Sequence, residues 1–126
     1  MATTEITQKN FEDIASKPGI LILDWWAAWC GPCRAFAPIF EKVAAQHQDI
    51  VFGKVDTDKE EELAKYFQIR SIPTVIIFRD EVMVFERPGV MPQAMLEDLI
   101  KEVRALDMAE VHRKIEESRK NQSAPS

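Results

Sequence analysis

Short, wholly apolar segments alternate along the chain with longer segments in which apolar residues recur every three or four positions. Apolar runs at 20–23 and 75–78 are typical of strands covered on both faces, 50–55 is predicted as a further strand, and 82–86 is placed to pair with 75–78 as a hairpin. Apolar residues at helical spacing predict helices around 11–14, 36–44, 63–67 and 95–103. The alternation predicts a layered α/β fold.

Capping residues and prolines set the expected helix limits. Thr7 is predicted to cap the first helix, and Asp58, with Glu61 three residues later, predicts the start of the third. Pro38 falls inside the second helical pattern and predicts a kink, whereas Pro92 predicts the start of the fourth helix.

The C-terminal part of the chain differs in character from the rest. Asp107 with Glu110 is a further capping pair, so a new helix is expected there, and its narrow apolar stripe consists of Met108, Val111 and Ile115. We therefore predict one domain over 1–106, a charged helical extension over 107–120 and a disordered tail over 121–126. A solvated helix is the simplest interpretation of the extension; packing on the domain, binding of a partner and pairing of two copies remain alternatives.

Composition and charge exclude several classes of protein. The chain has 126 residues, enough for one domain with a sizeable core, and its 16 Lys and Arg against 21 Asp and Glu give a net charge of −5. Such a chain has no general attraction to nucleic acid or to an anionic membrane, and no apolar run is long enough to span a bilayer. If Met1 is the natural start, no secretory signal is present, and we expect a reducing, cytoplasmic location.

The chain has just two cysteines, Cys30 and Cys33, where an apolar strand gives way to a helix. The free N–H groups at a helix start stabilise an anion, so Cys30 is expected to ionise readily and to be the more exposed of the two, with Cys33 one turn inside and more shielded. The alternatives are a structural disulfide and half of a zinc site. Zinc needs four ligands, and the remaining soft ligands, His47 and His112, are far apart in sequence.

The spacing suits dithiol chemistry. Cys30 would attack a disulfide of another protein, and Cys33 would then attack Cys30 and release the reduced protein. Pro32 lacks an N–H and fixes its own φ, which stiffens the small ring at a position that helices tolerate. Asp24 ends an apolar run, so its burial would raise its pKa and allow it to exchange a proton with Cys33. Lys54 is the expected counter-charge. A surface location for Asp24 and a solvated Lys54 are the alternatives.

These residues resemble the thioredoxin family. The resemblance is closest over 24–33, which contains Cys30-Gly31-Pro32-Cys33, and it extends over about Ile6 to Val103 with a kinking proline, a buried lysine, a cis-proline loop and a glycine loop at Pro38, Lys54, Ile72-Pro73-Thr74 and Gly89. It implies a central mixed β-sheet with helices on both faces. It further implies that Pro73 is cis and faces the cysteines, and that Trp29, Ile72, Pro73 and Gly89 shape the substrate groove.

The resemblance implies a protein-disulfide reductase. Gly31-Pro32 between the cysteines resembles the reducing members of the family, whose electrons come from NADPH through thioredoxin reductase. The resemblance implies that this protein itself needs no metal and no tightly bound cofactor. The implied partners are disulfide-containing client proteins and the reductase. A binding module or holdase that does not use its cysteines is the alternative function. Two departures are notable: Glu81 replaces a turn glycine, so a different turn type is expected, and Pro88 stands beside the substrate loop.

Overall fold

The structure is a computed structural model and describes residues 2–123. The strands are β1 to β5, in chain order Thr3–Glu5, Ile20–Trp26, Val51–Asp56, Thr74–Arg79 and Val82–Pro88. The helices are α1 to α5, in chain order Phe11–Ala15, Gly31–Gln46, Glu61–Tyr66, Gln93–Arg104 and Met108–Ser123.

The strands form one mixed sheet in the order β1-β3-β2-β4-β5. The three strands β1, β3 and β2 run parallel, whereas β4 pairs antiparallel with both β2 and β5. β2 therefore lies in the centre, where it pairs Asp24 with Lys54 on one side and with Val75 on the other. The mixed sheet that the resemblance implied is confirmed.

Each face of the sheet is covered by its own pair of helices. On one face, α2 and α4 contribute Phe36, Phe40, Leu96 and Ile100 to a core that includes Ile22. On the other face, α1 and α3 pack over a core that includes Leu21, Leu23 and Trp25. Because successive side chains of a strand point to opposite faces, the even-numbered residues of β2 belong to the α2/α4 layer. β2 is apolar at every position except Asp24, because both of its faces are buried.

Four details differ from the sequence predictions. Thr7 is not the cap of α1, whose N-cap residue is Asn10 and which has no side-chain cap. β1 was not predicted, since Thr3–Glu5 is polar and joins the sheet through backbone pairing with β3. Asp58 does not cap α3, which begins after Glu60 without a side-chain cap. The β4–β5 turn keeps positive φ at both central residues, Asp80 (50°) and Glu81 (71°), so the expectation of a different turn type was wrong.

One arginine ties the C-terminal extension to the sheet. Nη1 of Arg79, at the end of β4, donates to the carbonyl oxygens of Val103, Arg104 and Leu106 at 2.7, 3.1 and 2.8 Å. The carbonyls of Val103 and Arg104 lie in the last turn of α4 and that of Leu106 lies just beyond it, so the guanidinium supplies donors at the helix end and stabilises the junction between α4 and α5.

The extension itself is helical. Asp107 Oδ1 accepts from the backbone N–H of Glu110 at 3.2 Å, which is the predicted cap of α5. α5 lies beside β5, and an apolar groove between them is lined by Val84, Val111 and Ile115 among others. The helix continues through residue 123, three residues into the predicted disordered tail; 124–126 lie outside the described residues. The domain boundary at 106 stays a prediction.

Candidate active site

Cys30 and Cys33 form a disulfide at the start of α2, with their Cα atoms 5.2 Å apart. Cys30 is the N-cap residue, and its Sγ accepts the backbone N–H of Cys33 at 3.2 Å. Gly31 and Pro32 occupy the first two helical positions, where the missing N–H of Pro32 costs no helical hydrogen bond. The same N–H and the helix dipole would stabilise a thiolate on Cys30 once the disulfide is reduced.

The two cysteines differ little in their exposed fractions. Cys30 is 4% exposed and Cys33 is 2% exposed, so both are buried in the disulfide form. They pack with Ala27, Trp26 and Ile72. Cys30 is the more exposed of the two, as expected, but only slightly, because the Ile72 loop packs against the pair.

The loop opposite the cysteines contains a cis peptide bond between Ile72 and Pro73, as the resemblance implied. The carbonyl oxygen of Ile72 lies 3.7 Å from Cys30 Sγ. The carbonyl oxygen of Pro73 accepts the N–H of Gly89 at 2.8 Å. Gly89 has φ of +98°, a conformation that favours glycine. Three chain segments therefore meet at the disulfide: the start of α2, the Ile72–Pro73 loop and the Gly89 loop.

Trp29 is the large exposed side chain at this place. It is 68% exposed, and its Nε1 donates to Asp58 Oδ2 at 3.0 Å. The sequence pattern assigned Asp58 to a helix cap and missed this contact, because the two residues are 29 positions apart and no local pattern joins them. Asp58 therefore holds the orientation of the indole beside Cys30.

Asp24 is fully buried, and neither carboxylate oxygen has a hydrogen-bond partner among the described residues. Burial raises the pKa of Asp24 to about 7, and the nearby Lys54 partly opposes this by favouring the charged form. Strand alternation places Asp24 on the face covered by α2 and α4, the same layer to which α2 contributes Phe36, one turn beyond Cys33. The buried location agrees with the prediction and excludes the surface alternative.

Lys54 lies between this carboxylate and the solvent. Its Nζ is 4.0 Å from Asp24 Oδ2 and 5.0 Å from the ring centroid of Trp26, and its side chain is 23% exposed. It also lines a surface recess together with Thr3 and Asp56. Lys54 is therefore partly exposed. Its ammonium group lies close enough to Asp24 to favour the ionised form of that carboxyl group.

The zinc alternative finds no support in this geometry. Cys30 and Cys33 are bonded to each other. Nε2 of His47 lies 2.9 Å from Glu97, and its Nδ1 lies 3.2 Å from Arg104. Among residues 2–123, no group of three or more His, Cys, Asp or Glu side chains is arranged to hold a metal ion.

Comparisons with known proteins agree with this architecture. The thioredoxin family model matches residues 2–102. The chain is 47% identical over 116 residues to the Streptomyces coelicolor protein named "Putative thioredoxin 2", covering 92% of this chain and 87% of that protein. It is 42% identical to thioredoxin of Mycoplasmoides gallisepticum, covering 76% of this chain and 97% of the relative.

Solved structures give the same result. Thioredoxin of Plasmodium falciparum superposes with a TM-score of 0.73 at 32% identity, covering 79% of this chain and 98% of that one. A thioredoxin variant of Halobacterium salinarum gives a TM-score of 0.76 at 30% identity, covering 82% and 92%.

The fold, the cysteine pair and the relatives together show that the protein is a thiol–disulfide oxidoreductase. The chain belongs to the thioredoxin family, and its Cys30–Cys33 pair supports a thioredoxin-type protein-disulfide reductase activity. No helix within residues 2–123 combines the length and apolar character that crossing a bilayer requires.

Proposed function

We propose that the protein reduces disulfides of client proteins with Cys30 as the nucleophile, Cys33 as the resolving thiol and Asp24 as the proton acceptor. The observation that carries this assignment is the position of Cys30 as N-cap of α2, where its sulfur accepts the N–H of Cys33. A thiolate at this position is stabilised by a backbone donor and by the helix dipole.

The first step forms a mixed disulfide. The Cys30 thiolate attacks one sulfur of the client disulfide, a Cys30–client bond forms, and the second client sulfur leaves as a thiolate that takes up a proton. Trp29, the Ile72–Pro73 loop and the Gly89 loop surround the reacting sulfur and form the groove for the client chain. Since Cys30 is 4% exposed in the disulfide form, we expect that the groove must open slightly for attack.

The second step releases the client. Asp24 accepts the proton of the Cys33 thiol, and the resulting thiolate attacks Cys30 Sγ. The Cys30–client bond breaks, the client sulfur leaves as a thiolate that takes up a proton, and Asp24 gives up its proton in turn. The client gains two electrons and two protons, and the Cys30–Cys33 disulfide is restored. A pKa of about 7 suits Asp24 for this task, because near neutral pH the carboxyl group is present in both protonation states. Lys54 would stabilise the ionised form.

The reaction needs a donor that reduces the disulfide again. We propose thioredoxin reductase with NADPH as this donor, and a reducing cytoplasmic location, by analogy with the family. Mixing the oxidised protein with thioredoxin reductase and following the loss of NADPH absorbance tests the donor. Absence of NADPH consumption while dithiothreitol still supports turnover would reject the donor and leave the reductase assignment intact.

The cysteine roles are tested by two matched variants. With dithiothreitol as donor, Cys30→Ser should abolish the reduction of a disulfide-bonded protein, because the attacking sulfur is lost. Cys33→Ser should instead accumulate a mixed disulfide with the client, which electrophoresis without reductant detects. Activity that survives Cys30→Ser would reject the nucleophile assignment, and noncovalent client binding without any trapped complex would favour the binding-module alternative.

A further inference from the structure

Three exposed arginines flank the three segments that meet at the disulfide. Arg34 directly follows the second cysteine, Arg70 lies two residues before Ile72, and Arg87 lies two residues before Gly89. None of the three arginines forms an ion pair with an acidic side chain among residues 2–123.

Three other arginines of the chain are engaged. Arg79 binds three backbone carbonyls, Arg104 forms two hydrogen bonds with Asp49, and Arg113 pairs with acidic residues of its own helix. A guanidinium group has five donors, and it matches the geometry of a carboxylate well. The arginines at the active-site face thus keep donors that the fold does not use.

Contacts between the three segments bring these positions to one surface. The backbone N–H of Arg34 donates to the Cys30 carbonyl at 3.2 Å, so Arg34 lies in the first turn of α2. The Ile72 carbonyl contacts Cys30, and the Pro73 carbonyl binds the Gly89 loop. Two residues of extended chain span at most ~7 Å, about the reach of one arginine side chain, so Arg70 and Arg87 both lie close to the groove.

The surroundings leave these cations available to a client. Nη1 of Arg87 lies 3.3 Å from Sδ of Met95, a weak acceptor that leaves the remaining guanidinium donors free for stronger ones. Asp58, an acidic residue at this face, already accepts a hydrogen bond from Trp29. Glu61 lines a surface recess together with Arg70 but forms no ion pair with it. The net charge of the chain is −5, so this local excess of arginine is opposite in sign to the protein as a whole.

We propose that Arg34, Arg70 and Arg87 select client proteins whose disulfide is flanked by acidic residues. The proposal rests on the reductase function and adds a class of preferred substrate to it. Carboxylates beside the client cysteines bind the guanidinium groups, which raises the rate of encounter and orients the disulfide over Cys30. Since the groups are exposed, the preference falls as salt screens the charges.

Peptide disulfides of matched length test the selection. One peptide carries aspartates beside its cysteines, a second asparagines and a third lysines, and the fully reduced protein reduces each in a single turnover. At low ionic strength we expect the acidic peptide to be reduced about three- to ten-fold faster than the neutral one, and the basic peptide more slowly. The acidic-to-neutral ratio should fall toward one at about 0.5 M salt.

Variants assign the effect to these residues. The triple variant Arg34→Gln, Arg70→Gln, Arg87→Gln should bring the acidic-to-neutral ratio close to one. The matched control is Arg119→Gln, which removes an exposed arginine of α5 that likewise forms no ion pair within residues 2–123, and it should leave the ratio unchanged. Single variants should each lower the ratio by part of the total.

The outcomes separate this proposal from the function on which it rests. Equal rates for acidic and neutral peptides at low salt overturn the selection, while reduction of the neutral peptide still supports the reductase. A ratio that survives the triple variant, or one that Arg119→Gln lowers equally, also overturns it. Failure of the unmodified protein to reduce any peptide would overturn the reductase assignment, and with it this proposal.

Discussion

Replacing Asp24 by Asn removes a buried ionisable group and should stabilise the fold in a manner that depends on pH. Burial raises the pKa of this carboxyl from its ordinary value of 3.8 to about 7 in the folded protein. Below pH 3.8 the group is neutral in both the folded and the unfolded chain. Between that pH and about 7, the unfolded chain releases its proton while the folded chain retains it, so the folded state loses stability as pH rises.

The size of this effect follows from the two pKa values. Each factor of ten in the ionisation equilibrium is worth about 1.4 kcal/mol, so the full difference between 3.8 and about 7 is about 4 kcal/mol. Asn has nearly the shape of the protonated Asp and carries no charge at any pH. We therefore expect Asp24→Asn to raise the free energy of unfolding by about 2–4 kcal/mol near pH 8, and by close to zero near pH 4.

Urea denaturation of the disulfide form at a series of pH values measures this difference. Asp49→Asn is the matched control, because hydrogen bonds from Arg104 hold the pKa of Asp49 below its ordinary value. Its contribution is present above its unfolded pKa and is lost as pH falls, so the two variants should respond to pH with opposite signs. A stability difference for Asp24→Asn that does not change from about pH 4 to pH 8 would refute the argument. The variant should also slow client release near neutral pH, since Cys33 loses its proton acceptor.

The remaining predictions concern the fold and the extension. Glu81→Gly should raise the free energy of unfolding by about 1 kcal/mol, measured by urea denaturation, because Glu81 adopts a φ of +71°; a loss of stability would contradict the turn assignment. Gly53→Ala should lower the midpoint of thermal unfolding, because a Cβ there would lie 2.5 Å from Ile6 Cγ1. Arg79→Gln should speed hydrogen exchange in α5, since three carbonyls lose their donor; unchanged exchange would show that α5 is held by other contacts. Truncation after Leu106 should leave reductase activity intact, and a large loss would place the extension in the active unit.

The central strands and the long helices could be predicted from the sequence because their burial is visible in the pattern. β2 and β4 are mostly apolar, with Asp24 as the buried exception inside β2, since helices cover both faces of the sheet. β1 left no such signal, because its three polar residues join the sheet through backbone hydrogen bonds alone. Local patterns report burial well and backbone pairing at an edge poorly.

In the active site, too, some features could be predicted from the local sequence and others depend on distant segments of the chain. The spacing of Cys30 and Cys33 at a strand-to-helix junction predicted that Cys30 lies at the start of α2. The apolar run before Asp24 left burial and a surface location both open, and the resemblance favoured the burial that the structure has. The burial of Cys30 itself depends on the Ile72 loop, 42 positions away, so no local pattern could report it. The Glu81 turn was misjudged for another reason: the hairpin geometry overrides the preference of a single residue, and the glutamate adopts the strained conformation.

The ends of the sheet have a consequence for the behaviour of the protein at high concentration. One margin is the three-residue strand β1, too short to template a long intermolecular ladder. The other, β5, ends in Pro88, contains a register irregularity opposite β4, and has α5 alongside it. These features hinder the pairing of edge strands between neighbouring molecules, so the chain should resist fibrillar aggregation. A shortened form that lacks α5 should aggregate more readily.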